Sequence, residues 1–145
     1  MNGLLLLVRL GGQRVAVRAE LVESVAEIEA VTPVPRAAPH VAGLAALRSR
    51  ILTVVDCQAL LGPAPHVQPA PRDAIIVVAD GHGYALLVDG VDDVVVPEGE
   101  IVPVGAKLSP EWARIAGGMV EAEKDLLLVV DPLALIAGRE AAAAS

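Results

Sequence analysis

The feature that most constrains this chain is a segment that occurs twice. The stretch ILTVVDCQALLG at residues 51–62 returns as LLLVVDPLALIAG at residues 126–138. Each copy is typical of a buried strand that ends at an Asp and continues into a short apolar helix. The matched residues lie 75 positions apart and are Val54, Val55, Asp56, Ala59 and Leu60 against Val129, Val130, Asp131, Ala134 and Leu135.

A second repeat lies upstream of each copy. LGGQRVAVRAELVESV at residues 10–25 aligns with ADGHGYALLVDGVDDV at residues 79–94, at a separation of 69 positions. Matched valines and alanines are weak evidence in a chain that is 54% hydrophobic. The matched glycines Gly12 and Gly81 carry more weight, because a tight turn needs glycine for its backbone freedom.

The two repeats predict one domain, residues 1–145, built from two similar β-rich subdomains. We expect these to span approximately residues 10–62 and 74–138, with an exchange of their terminal strands left open. A proline-rich connector is predicted at residues 63–73. Units of about 70 residues bury little surface alone, so they should pack against each other across a shared seam.

Local patterns predict the short helices. A helix is predicted over residues 21–28, because Leu21, Val22, Val25 and Ile28 fall on one face at helical spacing. Asp56 and Asp131 are each predicted to cap the helix that follows, since an Asp carboxylate accepts hydrogen bonds from the first free N–H groups.

Further short elements are predicted near the end of the chain. Ser109 should cap a helix that starts at Pro110 and ends at Gly117-Gly118. Residues 119–123 and 125–130 should pair as a hairpin, and the tail after Pro132 should form a helix.

Charge and composition limit the classes of partner. The net charge of −7 is uneven, because residues 1–71 sum to +1 and residues 72–145 to −8. An acidic half argues against nucleic acid as a partner, because binding to its phosphates needs clustered Lys and Arg. A single cysteine, Cys57, fits a reducing compartment, and no run of apolar residues predicts a membrane-spanning helix. We therefore expect a cytoplasmic protein without direct membrane insertion.

The sequence offers no constellation typical of catalysis, a metal site or a cofactor. His40, His66 and His82 share no ligand-like spacing and are predicted to be surface loop residues. Cys57 is predicted to be a buried structural thiol. Asp92-Asp93 is interpreted as a solvated turn before a strand. We accordingly expect a protein that is not an enzyme.

With the units laid out, the chain resembles a CheW-like chemotaxis coupling (adaptor) protein along nearly its whole length. The motifs are LLLVRLGGQRVAV with ELVESV, VTPVPRAAPHVAGLAALRSRILTVVD, YALLVDGVDDVVVP and LLLVVDPLALI. The chain departs from the family pattern at Ser24, Ala46, Ser49, Thr53 and Gln58, where the family usually has Glu, Asn, Gly, Pro and Arg.

The resemblance implies a mainly β fold of two tandem Src-homology-3-like five-stranded barrels packed together. Short helices would follow the barrel strands, and a helix would end the chain. It also implies a non-catalytic adaptor that links the cytoplasmic tip of a methyl-accepting chemoreceptor to the regulatory domain of a CheA-type histidine kinase. No cofactor is implied.

The resemblance also suggests where partners bind. Its partner-binding positions fall on Val22, Val25, Gly43, Leu47 and Arg48 of this sequence. Gly43 would let a partner helix approach the backbone closely, or it would serve a loop turn. Arg48 would fork to a carboxylate on a partner, or it would be a solvated charge at a strand end. Glu23 or Glu20 would supply the acidic neighbour of Arg48.

Two other functions stay open from the sequence. The chain could be a small-ligand-binding or structural β-barrel protein of an unrelated complex. It could also be a divergent coupler that serves a chemosensory pathway other than swimming.

Overall fold

The computed structural model describes residues 3–61 and 72–144, with side chains as far as Gly138. The first five strands are β1 (Leu5–Leu10), β2 (Gln13–Arg18), β3 (Ser24–Ile28), β4 (Val41–Leu47) and β5 (Arg50–Asp56). The next five are β6 (Arg72–Ala79), β7 (His82–Leu87), β8 (Gly90–Val95), β9 (Ala116–Ala122) and β10 (Asp125–Val130). The helical elements are α1 (Pro110–Ile115), α2 (Pro132–Ala144) and the 3₁₀ turns Ala19–Leu21 and Cys57–Leu60.

The strands form two five-stranded sheets, which confirms the predicted fold class. One sheet has the order β8-β1-β2-β10-β9 and is called the terminal barrel here. The other has the order β3-β6-β7-β5-β4 and is called the central barrel. An antiparallel bridge curls each sheet toward closure, Val102 to Met119 in the first and Thr32 to Leu44 in the second.

The first hairpin of each half of the chain pairs with strands of the other half. The β1–β2 hairpin joins β8 and, through a parallel pairing, β10. The β6–β7 hairpin joins β3 and, again in parallel, β5. Each barrel therefore contains segments from both ends of the sequence repeat, and neither barrel can form from one half alone.

These exchanged hairpins are buried on both faces. One face fills the interior of a barrel, with Leu5, Leu7 and Ala16 in the terminal barrel and Ile76 and Ala85 in the central one. The opposite face lies in the seam between barrels, which holds the largest apolar core. Its members are Leu6, Val8, Leu10, Val15, Val17, Val55, Cys57, Leu60, Ile75, Val77, Leu86, Val88, Ile115, Val130 and Leu135. Burial on both faces explains why β1 and β6 are continuous apolar runs and do not alternate.

The structure carries the repeat down to single backbone angles. Gly11 and Gly12 turn the first hairpin with positive φ, as Asp80 and Gly81 do 69 positions later. Arg48 and Ser49 do the same between β4 and β5, and their counterparts 75 positions on are Glu123 and Lys124. Two-residue turns with both φ angles positive match the twist of paired strands, so each turn fixes its hairpin register.

The predicted caps are confirmed. The Asp56 carboxylate accepts a hydrogen bond from the Gln58 backbone N–H at 3.1 Å, and the Asp131 carboxylate accepts one from the Leu133 N–H at 3.0 Å. Ser109 Oγ accepts from the Trp112 N–H at 3.5 Å, at the start of α1.

The helix predicted over residues 21–28 is wrong. Only Ala19–Leu21 is helical, as a 3₁₀ turn, and β3 pairs in register with β6 along its whole length. The supposed apolar face is not buried as a stripe, because Val25 is 45% exposed. Pairing with an otherwise open edge of β6 has overridden the local helical spacing.

Three smaller predictions also need correction. His40 is only 4% exposed, because its ring packs on Gly138 of α2 and lies 3.0 Å from the Ile136 carbonyl oxygen. Asp92-Asp93 lies within β8 and not in a turn. Gly117-Gly118 belongs to β9, since α1 already ends at Ile115. The predicted connector at residues 63–73 and His66 fall largely on residues 62–71, outside the described part of the chain.

We predict that Gly43→Ala will destabilise the fold by more than about 2 kcal/mol. Gly43 has a φ of +149°, and a Cβ there would strike the Thr32 carbonyl oxygen. Gly12→Ala measures the cost of a positive φ alone, about 1 kcal/mol, because Gly12 has a φ of +77° and nothing lies near its Cβ position. Urea denaturation gives the free energies of unfolding. Equal stability of Gly43→Ala and the open-space control Gly99→Ala would contradict the prediction.

Candidate partner-binding site

The tip of the β4–β5 hairpin presents two of the predicted site residues. Leu47 ends β4 and is half-buried, while Arg48 is exposed as the first residue of the turn. Leu47 pairs with Arg50 across the hairpin, so Arg48 projects beyond the last cross-strand pair. No ion pair engages Arg48 within residues 3–61 and 72–144. Its guanidinium is therefore available to an external carboxylate.

The acidic neighbour proposed for Arg48 belongs to Arg50 instead. Arg50 Nη1 lies 2.7 Å from Glu23 Oε1, and both side chains are about half exposed. The arginine passes over Gly83, where an added Cβ would lie 2.7 Å from Nη2. The prediction that Glu23 or Glu20 serves Arg48 is thus wrong, and Arg48 has no ionic partner in the part of the chain that the structure describes.

A groove opens beside this hairpin, between β4 and the segment that follows β3. It has a volume of about 680 Å³. Ile51 and Leu44 form an apolar lip and are 63% and 38% exposed. The residues that line the groove are Glu27, Ile28, Glu29, Ala30, Thr32, Leu44, Ala45, Ala46, Leu47 and Ile51.

Ile51 and Leu44 are surface residues that the sequence pattern did not indicate. Both belong to apolar runs that are typical of core strands. The signal that could have found them is the turn at Arg48-Ser49, since it fixes the pairing of Leu47 with Arg50. Alternation from that pair buries Leu52 and Val54 and turns Ile51 outward.

Gly43 lies against the backbone of its own chain. It is buried at a bulge in β4, and the backbone that approaches it belongs to Thr32 and Pro33 of the same chain. Gly118 has the equivalent position in β9, where an added Cβ would lie 2.7 Å from the Val102 carbonyl oxygen. The close approach expected at Gly43 is therefore internal.

Val22 and Val25 lie apart from the groove. Val22 is half-buried and packs against the seam core. Val25 is opposite Ile75 in the β3–β6 pairing and is partly exposed. The structure thus brings Leu47 and Arg48 together at the groove, whereas Val22 and Val25 are not among its lining residues.

The equivalent tip of the terminal barrel carries the opposite charge. There Glu123, Lys124 and Asp125 replace Arg48, Ser49 and Arg50. Arg14 of β2 binds three acids at this end, Asp92, Glu123 and Asp125. Leu126 is 66% exposed, 75 positions after Ile51, so both tips present an apolar side chain. The tips share their shape and differ in charge.

The reactive side chains are held in structural roles. Cys57 is fully buried in the seam, and burial, with the nearby Asp56 charge, raises the pKa of its thiol. His82 Nε2 lies 2.9 Å from Thr53 Oγ1 at the surface. In the described ranges, no three His, Cys, Asp or Glu side chains come together as a metal site. None of the helices described here has the length and apolar character needed to cross a membrane.

Comparison with known proteins gives concordant matches. The family model for the CheW-like domain matches residues 4–140. A probable chemotaxis protein CheW of Rhizobium etli is 30% identical over 141 residues, which cover 94% of this chain and 88% of that protein. The chemotaxis protein CheW of Rhizobium meliloti is 30% identical over 125 residues, covering 85% and 80%.

The fold matches a solved structure as well. The scaffolding protein TtCheW from Thermoanaerobacter tengcongensis superposes with a TM-score of 0.77 over 90% of each chain, at 20% identity. At that identity the likeness supports the double-barrel fold.

We predict that iodoacetamide will alkylate Cys57 at least about 100-fold more slowly in the native protein than in guanidinium chloride, because only opening of the seam exposes the thiol.

The raised pKa of Cys57 also has a consequence for stability. The buried neutral thiol contributes fully to the free energy of unfolding below the pKa of an unfolded cysteine, about 8.5. This contribution falls as the pH rises above that value, because the unfolded chain can then ionise and the folded one cannot. Unfolding measured from pH 7 to pH 10 should therefore show a steeper loss in the natural protein than in Cys57→Ala. Rapid native alkylation would contradict burial of the seam.

Proposed function

Because this chain belongs to the family of CheW-like domains, we propose that it is a non-catalytic adaptor that couples the cytoplasmic tip of a chemoreceptor to a CheA-type histidine kinase. The observation that carries this proposal is the family match over residues 4–140. The names of the relatives support it, since two are chemotaxis proteins and a structural neighbour is a scaffolding protein.

The surface of the central barrel suits a docking role. A scaffold needs exposed apolar side chains with polar groups around them. Ile51 and Leu44 supply the apolar part, and Arg48 next to them supplies a charge that makes no ion pair among the described residues. A guanidinium can bind a carboxylate through two parallel hydrogen bonds, which fixes the orientation of a partner.

We propose that Leu47 and Arg48 contact the partner directly and that Gly43 acts by fixing the Thr32–Leu44 bridge at one end of the groove. Gly43 keeps the Thr32–Leu44 bridge in place, because no side chain intervenes there. Val25 is exposed and would extend the contact along β3, while Val22 would support that strand from the seam. The partners would be the kinase regulatory domain and the receptor tip.

The alternative, a barrel that binds a small ligand, has less support. Each barrel interior is filled by its own side chains, such as Leu52, Ile76 and Leu87 in the central barrel. A ligand would have to bind at the surface. We propose that the protein works in the cytoplasm, in association with receptor arrays.

We predict that Arg48→Glu will weaken capture of a CheA-type kinase or of a receptor cytoplasmic fragment by at least about tenfold, since losing one partner of a charge pair and adding repulsion costs more than about 1.4 kcal/mol. Isothermal titration with each purified partner measures the change. The thermal transition should stay close to that of the natural protein, because Arg48 makes no internal ion pair in the described structure.

Arg114→Glu is the matched control, because Arg114 is an exposed arginine on α1 of the other barrel. It should bind like the natural protein. A collapse of the Arg48→Glu melting transition would instead assign Arg48 a structural role, and unchanged binding would remove it from the site.

A further inference from the structure

The sequence repeat provides an internal control for the groove, because β4 and β9 are equivalent strands. In both hairpins a two-residue turn follows the last pair, Leu47 with Arg50 and Ala122 with Asp125. Leu44 and Met119 exchange backbone hydrogen bonds with the segment outside the hairpin, and this orientation recurs at every second residue of an antiparallel strand, that is, at the residues before Leu47 and Ala122. The preceding residues, Ala46 and Glu121, therefore direct their backbone N–H and C=O groups away from the hairpin partner. Both strands present an open edge at this position.

The terminal barrel covers its edge with its own chain. The Glu98 backbone N–H donates to the Glu121 carbonyl oxygen at 2.7 Å. The Glu98 carboxylate accepts a hydrogen bond from the Lys124 N–H at 2.6 Å, which holds the covering segment at the turn. The Val102–Met119 bridge continues the same closure.

The central barrel leaves the equivalent edge uncovered. The Thr32–Leu44 bridge is present, with hydrogen bonds of 2.8 and 2.9 Å. One pleat further along, Ala46 makes no backbone hydrogen bond outside the β4–β5 pairing within the described ranges. The chain has instead moved away, and the groove of about 680 Å³ takes its place. Ala46 is exposed, and its methyl group shields the backbone little.

The side of the groove along β3 is acidic, whereas Arg48 lies at the hairpin end. Glu27 and Glu29 line it, and neither pairs with a cation in the described structure. Glu27 also lies directly opposite Asp73 in the β3–β6 pairing. Like charges in opposite positions of a sheet are destabilising, so a cation brought to this side would relieve the repulsion.

We propose that the groove binds an extended segment of another protein, which adds a strand to β4 at Ala46 and carries Lys or Arg among alternating apolar residues. Strand addition satisfies the open backbone groups, and the neighbouring pockets select side chains. Ile51 and Leu44 would contact the apolar residues, and Glu27 and Glu29 would pair with the basic ones. A second copy of this chain fits less well, because its net charge is −7.

The groove shares Leu44 and Ile51 with the surface that we propose for coupling, so the strand-addition site deepens that role and rests on it. Binding of a peptide is measured on the free chain, without kinase or receptor. Peptide binding and kinase capture can therefore fail separately.

The test uses a capped hexapeptide of alternating Val and Lys and the full ¹⁵N-labelled chain. We expect chemical-shift changes centred on Ala46, Leu44 and Thr32, and slower hydrogen exchange of the Ala46 amide. Ala46→Pro, which removes the N–H donor, should lower the affinity at least about tenfold. Glu29→Gln should lower it about two- to fivefold, and the control Glu100→Gln on the terminal barrel should leave it unchanged.

A peptide of the same sequence that is N-methylated on alternate residues keeps the test decisive if Ala46→Pro does not fold. It should bind at least about tenfold more weakly to the natural protein. Equal binding of that peptide, shifts confined to the terminal barrel, or an absence of shifts at Ala46 would overturn the proposal. Ala46 protection without peptide, together with a dimer in sedimentation, would assign the groove to a second copy and overturn it as well.

Discussion

The burial of two hairpins on both faces is the constraint on which the rest of this structure depends. Each strand of the β1–β2 and β6–β7 hairpins supplies residues to a barrel interior and to the seam. Burial of apolar surface is the main favourable term in folding. In these hairpins the buried surface lies on both faces of each strand, one in a barrel interior and the other in the seam. The barrels therefore form together, and their relative position is fixed by the same side chains that fill them.

That arrangement leaves the far ends of the barrels free to differ. The β4–β5 and β9–β10 tips have the same turn geometry but different charges. Arg48 and Arg50 lie at the first tip, and Glu123 and Asp125 lie at the second. Surface charges at such tips contribute little to stability, so they can change without loss of the fold. The two barrel tips therefore share one turn geometry and present different charges.

Residues that fix the backbone geometry match between the two halves of the chain, whereas the exposed side chains at the tips differ. Gly43 and Gly118 stand at matching bulges, and Asp56 and Asp131 accept hydrogen bonds from matching N–H groups. Each of these residues solves a problem of backbone geometry for which few side chains are suitable.

The sequence by itself determined the duplicated module, the hairpin turns, the Asp caps and the family. These features depend on contacts between residues close in the chain, or on patterns that repeat along it. Only the tertiary structure decided that the hairpins cross between halves, that residues 24–28 form a strand, and that His40 is buried. It also decided that Glu23 pairs with Arg50, and that the β4 edge is open while the β9 edge is closed. Each of these features depends on which distant segment packs against the residue concerned. The spacing of apolar residues predicts that a side chain is buried, but it does not identify the segment that buries it.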